Sequence, residues 1–454
     1  MSVVELAPPS TQSTLARELS SLVTELFPIC RSITGDGVRE TLRRIQRIVP
    51  LSIQEVPSGT QVFDWTVPRE WNIRDAWVKT LTGERVIDFR ASNLHVVNYS
   101  TPVRARVPLA ELKQHLHTLP DYPTWIPYKT SYYADTWGFC VSAERLASMN
   151  DPEYDVCIDS SLEDGYLTYG ECVLPGESAD EVLLSCHVCH PSLCNDNLSG
   201  VSVMAFLGQW LAALPHRRLS YRLLFIPGTI GAITWLARNP ERLSTIRHGL
   251  VLTGLGGPGG LVYKRSRRGN ALIDRASVHV LTHRGTALEV RDFVPYGYDE
   301  RQYCSPGINL PVGCLSRTPF GEYPEYHTSA DNLTFVTGDR LEDAYEACQA
   351  IVRVLEGDAT YVSLNPMCEP QLGKRGLYSA SGGAGERRDR EMSLLWVLNL
   401  ADGSHSLLDM AERSSMPFER IRSAAALLEQ HGLIRHVNKV AGDASGRLEQ
   451  TSGA

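Results

Sequence analysis

The densest chemistry in the chain lies between residues 186 and 200. There Cys186-His187-Val188-Cys189-His190-Pro191 is followed by Asn195-Asp196-Asn197-Leu198-Ser199-Gly200. Imidazoles and carboxylates are the common ligands of zinc and related cations. His187 closes the apolar run EVLLSCHV, so it stands where a strand ends and a loop begins. Asp196 sits just before an apolar helical run, and Pro191 forbids helix or continued strand between the two. A histidine and an aspartate meeting at a strand end are natural metal ligands. A second cluster spans 321–333, with His327 after the strand-like LPVGCLSR and Asp331 four residues on, spaced to orient an imidazole from outside the ligand shell. A third is Tyr298-Asp299-Glu300-Arg301-Gln302-Tyr303. Asp299 reads either as a structural acid or as a group that orients a ligand or meets a substrate amine. His190 reads as a structural partner or a working group of the site. These two are the candidate catalytic residues. Cys186, Cys189 and Cys194 lie beside the histidines, but no second cysteine pair stands nearby to complete a separate zinc site.

Such groups need elements to hold them. From 154 to 358 apolar strand candidates (EVLLSCHV, YRLLFIPG, HGLVLTGLG, ASVHVLTHR, LPVGCLSR) alternate with helical runs (NLSGVSVMAFLGQWLAAL, GAITWLARN, DRLEDAYEACQAIVRVLEG). That alternation predicts an α/β domain with a largely parallel or mixed sheet, whose working groups gather at the carboxyl ends of the strands. The first 60 residues read as two helices and a strand. Residues 62–135 change character: Trp65, Trp71, Trp77 and Trp125 lie there, with Trp137 at the edge. This predicts a β-rich inserted subdomain, its aromatics forming either a small core or a lid that limits water at the site. Residues 372–390 read as a linker. Residues 391–454 read as a winged helix and tail. Its charges roughly balance, which favours a structural or protein-contact role over DNA reading. Arg265, Arg267 and Arg268 read as loop surface or as an anion-binding run.

Length and composition set limits. The chain has 454 residues, 43% hydrophobic and 21% charged, with a net charge of -8. That supports a large core and more than one domain, and argues against nucleic acid or membrane as partners. The opening residues show no signal peptide, and no apolar run is long enough to span a bilayer, so a cytoplasmic location is expected. Eleven irregularly spaced cysteines are expected to be mostly free thiols. A small-molecule or short-peptide substrate is the expected partner, and a homo-oligomer is left open.

The strings H-x-C-H-P-S-x-x-N-D-N-L-S-G, Y-D-E-R-Q-Y-C-S-P-G and E-Y-H-T-S-A-D-N-L resemble those of bacterial aminopeptidase-like proteins with an inserted domain and a C-terminal winged helix. The resemblance covers nearly the whole chain, including VFDWTVPREWNIRDAW and CEPQLGKRGLY. Those proteins in turn resemble zinc aminopeptidases in which an aspartate bridges two zinc ions. The resemblance implies an α/β fold: a zinc-aminopeptidase-like mixed sheet flanked by helices in 1–61 and 136–371, plus the insert and the winged helix. It places Asp196 at the bridging position and His187 and His327 at zinc-ligand positions. Two departures follow: Gly228 and Gly257 stand where the pattern has Glu and Asp. The loss leaves His187, Asp196 and His327, a two-histidine, one-carboxylate set for one zinc, a second being weakly held. The expected function is a metal-dependent aminopeptidase-like hydrolase, or a derivative of it, on a small amino-acid-like, peptide or amide substrate. The alternatives are a non-hydrolytic biosynthetic enzyme on this scaffold and an inactive binding protein.

Overall fold

The structure is a computed structural model and describes residues 12–285, 288–378 and 386–437. It divides into two compact units, 1–351 and 352–454.

The first unit is built on an eight-stranded mixed sheet. Its strands run in the order Ser52–Pro57, Tyr166–Leu174, Ser220–Ile226, Glu181–His187, Ile246–Leu252, Val312–Ser316, Leu261–Lys264, Leu288–Arg291. The four central strands, from Ser220–Ile226 to Val312–Ser316, are mutually parallel, while Tyr166–Leu174 and Leu261–Lys264 pair antiparallel at their flanks. Parallel strands covered on both faces should read as continuous apolar runs. Accordingly every residue of Glu181–His187 is buried. Its one acid is matched: Arg222 on the neighbouring strand bonds both Glu181 oxygens, at 2.6 and 2.9 Å. The helix Gly200–Ala213 follows the Asp196 segment and buries nine of its residues.

The run ASVHVLTHR, expected as a strand, lies in the helix Leu272–His283. Its valine–histidine alternation suggested period two. Seven positions are buried, and among them Ile273, Ala276, Ser277, Val280 and Leu281 instead follow the three-to-four spacing of one helix face, with Asp274 and His279 beside it. Asp274 fixes the start by accepting from the Ala271 N–H at 3.0 Å.

The β-rich insert is present but longer than 62–135. Its four-stranded antiparallel sheet runs Arg85–Asp88, Glu70–Lys79, Glu153–Glu163, Val103–Pro108, so one of its two central strands, Glu153–Glu163, lies beyond the expected boundary. Its tryptophans serve the insert itself. Trp71 donates to the Ser100 carbonyl at 2.9 Å, Trp125 stacks on Tyr122, and Trp137 stacks on His115.

The second unit begins inside the helix Gly338–Gly357. The strand Thr360–Ser363 is central in a small sheet between Asp402–Ser406 and Ile434–His436, so residues near 360 belong here and not to the α/β domain. Helices Glu386–Leu400, Leu407–Ser414 and Phe418–Gln430 complete it. The expected linker 372–390 falls partly outside the described residues, as does the tail beyond 437. Nine of the eleven cysteines are buried and all are free thiols. Among the described residues, no helix is long and apolar enough to cross a membrane.

Candidate metal centre

His187 is the last residue of its strand, and the chain then turns through Cys189-His190-Pro191. Arg31 anchors that turn from 159 residues away, its Nε donating to the His190 carbonyl at 3.0 Å. Burial pushes the Arg31 guanidinium down to about 10.

Asp196 sits in a break of regular structure before the helix Gly200–Ala213, with φ -111° and ψ 82°. Three side chains hold that break. Asp331 accepts the backbone N–H groups of Asn195 at 2.6 Å and Asp196 at 3.0 Å. Asn197 donates to the Leu252 carbonyl at 3.1 Å and accepts from Gly200 and Gly254, each at 3.2 Å. Asn195 accepts from Gly256 at 2.9 Å. Gly200 has no room for a Cβ, because the Leu252 carbonyl and the Asn197 amide press on it. Asp331 therefore holds the Asp196 loop rather than orienting His327, as its four-residue spacing had suggested.

The Asp196 carboxylate is fully buried. His187 Nε2 lies 2.7 Å from Oδ1 and His327 Nε2 3.0 Å from Oδ2. His190 Nε2 is 3.8 Å from Oδ2. Burial works against the charge, but His190 and His187 and the two histidine hydrogen bonds outweigh it and hold the carboxyl well below the usual range. Burial pushes His190 down to about 3 despite Asp196, leaving a neutral imidazole with a free lone pair. His187, His190 and Asp196 offer donor atoms that all lie within 4.8 Å of one another. The sequence reading gave His327 the ligand role and His190 a catalytic one; the structure brings all four together, and the mutually compact set is the one with His190. Among the described residues no other three such side chains converge in this way. Cys186 and Cys189 stay outside it, and burial raises both thiols above their ordinary range.

Asp299 lines the same cavity as His187. Both of its oxygens are buried without a hydrogen-bond partner, and burial pushes its carboxyl up to about 7 against the pull of His187. Gly228 follows the strand Ser220–Ile226. A Cβ built there would stand 3.1 Å from His187 Cβ and 3.4 Å from Asp299 Oδ1. So the space beside Gly228 is taken up by a carboxyl arriving from a different element. Gly257 behaves differently: a Cβ there would meet Thr318 and Phe335, and neither is in the His/Asp cluster. The sequence expectation that Gly257 vacates a ligand position at this cluster is corrected. The strand's end, Leu252, precedes it by five residues, and the chain has turned at Gly254 (φ 60°).

Aromatic rings close the site. Tyr298 stacks on His187 at 4.9 Å, and Tyr326 stacks on His327 at 3.9 Å. Tyr128, from the insert, lies 5.2 Å from the His190 ring and edge-on to His327 at 5.0 Å. Its N–H donates to the His327 carbonyl at 2.7 Å, which supports the left-handed backbone there, φ 55°. The insert thus does reach the strand ends, through a tyrosine rather than a tryptophan. Burial raises the phenols of Tyr128, Tyr298 and Tyr326, so they are hydrogen-bonding groups and not anions. Tyr298 and Tyr326 stood inside the motif strings, but Tyr128 carried no signal in sequence. Arg265, Arg267 and Arg268 bond the loop carbonyls of Gly269 and Asn309 and the Asn309 amide oxygen, as loop-surface residues do.

Residues 20–358 match a family described as a domain of unknown function, DUF4910, and 359–436 match a winged helix-turn-helix. The chain belongs to the DUF4910 family. A Clostridium acetobutylicum relative named as a polysaccharide biosynthesis protein with an aminopeptidase-like domain is 51% identical over 92% of this chain and 96% of its own. A crystal structure of a candidate peptidase from the same species has a TM-score of 0.89 at 50% identity, covering 93% of this chain and 96% of that one. A zinc aminopeptidase from Bacillus subtilis has a TM-score of 0.55 at 12% identity, covering 76% and 95%. This DUF4910 chain therefore has the aminopeptidase-like fold with a C-terminal winged helix.

Proposed function

We propose that the chain is a zinc-dependent hydrolase that cuts an amide bond in a small substrate. The observation that carries this reading is the compact donor set His187, His190 and Asp196 beside the partnerless, buried carboxyl of Asp299. The donors fit zinc: a carboxylate held ionised, a neutral imidazole and a second imidazole at a strand end. His187, His190 and Asp196 would hold one ion, which supplies Lewis acidity at the site. His327 keeps the Asp196 carboxylate oriented through Oδ2. Asp299 is placed to accept and return the proton that amide cleavage moves, as a carboxyl with a raised pKa can near neutral pH. Tyr128, Tyr298 and Tyr326 limit water around the imidazoles.

A second reading rests on Gly228. The carboxyl beside it comes from a new direction, which suits a changed reaction, and the relative's name points to biosynthesis. Metal content and activity separate the two. Protein purified without chelator is expected to carry about one zinc per chain. It is expected to release amine from aminoacyl amides or N-acylated amino sugars, to stop with chelator, and to lose about 10²–10⁴-fold in kcat with Asp299→Asn. One zinc with no hydrolysis of either class favours the biosynthetic reading. No bound metal removes the hydrolase reading.

A further inference from the structure

A cavity of about 180 Å³ opens onto His187 and His190, and Asp299, Gly228, Tyr298 and Arg301 also line it. Arg301 is its only lysine or arginine among the described residues. The Arg301 Nε is buried with no hydrogen-bond partner, and among the described residues its side chain makes no ion pair. Arg291, on the adjoining cavity, forks onto Glu322. Arg284 and Arg317, whose Nε atoms are likewise buried without a partner, still share Asp343 through their terminal nitrogens, and Arg301 has no such carboxylate among the described residues. Arg301 is half-buried, and a buried guanidinium N–H without an acceptor is costly; a carboxylate or phosphate entering the cavity can take up the fork of donors. The rest of the wall does not compete for that role. Gly228 brings no side chain, and Asp299, the one carboxyl among the lining residues, does not attract an anion. The wall on the Tyr296, Tyr298, Phe320 and Tyr326 side is shared with a larger cavity of about 730 Å³, which leaves room for the body of a substrate beyond the small one.

We propose that Arg301 binds an anionic group of the substrate, a carboxylate or a phosphate, held in the same cavity as the metal donors. The inference rests on the amide-hydrolase reading only for which bond then reacts; the anion site stands on the cavity itself. Arg301 is accordingly the residue that makes the enzyme select acidic substrates over their neutral counterparts.

The test is calorimetric titration of succinate and, separately, of inorganic phosphate into the full-length protein. It is done zinc-loaded and after chelator treatment, so that binding to the metal is told apart from binding to Arg301. Wild type is expected to bind at least one anion in both states, and the tighter of the two identifies the source. Arg301→Gln is expected to weaken that binding about 30-fold or more. Arg301→Lys, which keeps the charge but loses the fork, is expected to fall between. Should Arg301→Gln fail to fold, as judged by circular dichroism, the lysine variant decides: affinity within twofold of wild type overturns the fork recognition. The proposal is also overturned if Arg301→Gln binds as wild type does, or if wild type binds neither anion. Absent amide hydrolysis with intact, Arg301-dependent binding would sink the reaction and leave the anion site standing.

Discussion

Replacing Asp331 by asparagine probes how the Asp196 carboxylate is held. The native carboxylate is fully buried and gives one oxygen to the Asn195 N–H at 2.6 Å and the other to the Asp196 N–H at 3.0 Å. Asparagine has the same shape but one acceptor, so one backbone N–H would face an NH₂ group. A buried donor left unsatisfied costs about 1–3 kcal/mol, and the surviving bond loses its charge assistance as well. Global stability should therefore fall by about 2–3 kcal/mol. The freed N–H belongs to the segment that aims Asp196 at His187 and His327, so the donor set loosens too. Outer-shell substitutions of this kind typically weaken a metal about 10–100-fold. Urea unfolding of chelator-treated protein measures the first effect, and competition with a zinc-binding dye measures the second. An unchanged unfolding midpoint together with zinc affinity within twofold of wild type would refute the reasoning. A stability loss with unchanged zinc affinity would confine Asp331 to the fold.

Two further outcomes follow from particular contacts. His190→Ala should leave the protein with well under one zinc per chain, whereas His327→Ala, whose imidazole bonds only the second Asp196 oxygen, should keep most of it. Equal loss in both variants would return His327 to the ligand set. Glu70 is bonded by Arg39 at 2.7 and 2.6 Å and by the Tyr166 N–H at 2.8 Å, and the Arg39 hydrogen bonds above all hold its carboxyl down to about 2, against burial. Because the folded-state value lies below the unfolded one of 4.5, this contribution is complete above that pH and fades as pH falls toward about 2. The gap in urea midpoint between wild type and Glu70→Gln should thus be widest near neutrality and close in acid. A gap that persists undiminished at pH 2 would contradict it.

Sequence alone carried the parts of this protein whose signals are local. Uninterrupted apolar runs such as EVLLSCHV could only be strands covered on both faces, and a polar residue at such a run's end must lie at the sheet's carboxyl edge. That placed His187 and, through the helix after it, Asp196. Gly228 stood out only through the resemblance to aminopeptidase-like proteins, whose pattern has Glu there. Local pattern was ambiguous where two periods overlapped, and so Leu272–His283 was misread. What the tertiary structure decided is which distant groups face each other. Asp331 meets the Asn195 N–H across 136 residues, and Arg31 meets the His190 carbonyl across 159. The insert lends Tyr128 to histidines from two other segments, Asp299 arrives beside Gly228 from a separate short helix, and Gly257 turns away from the cluster although it follows the right strand. Residue type and spacing state what a side chain can do. Its direction depends on φ and ψ along an irregular loop and on the packing of elements remote in the chain, and neither leaves a periodic trace in the sequence.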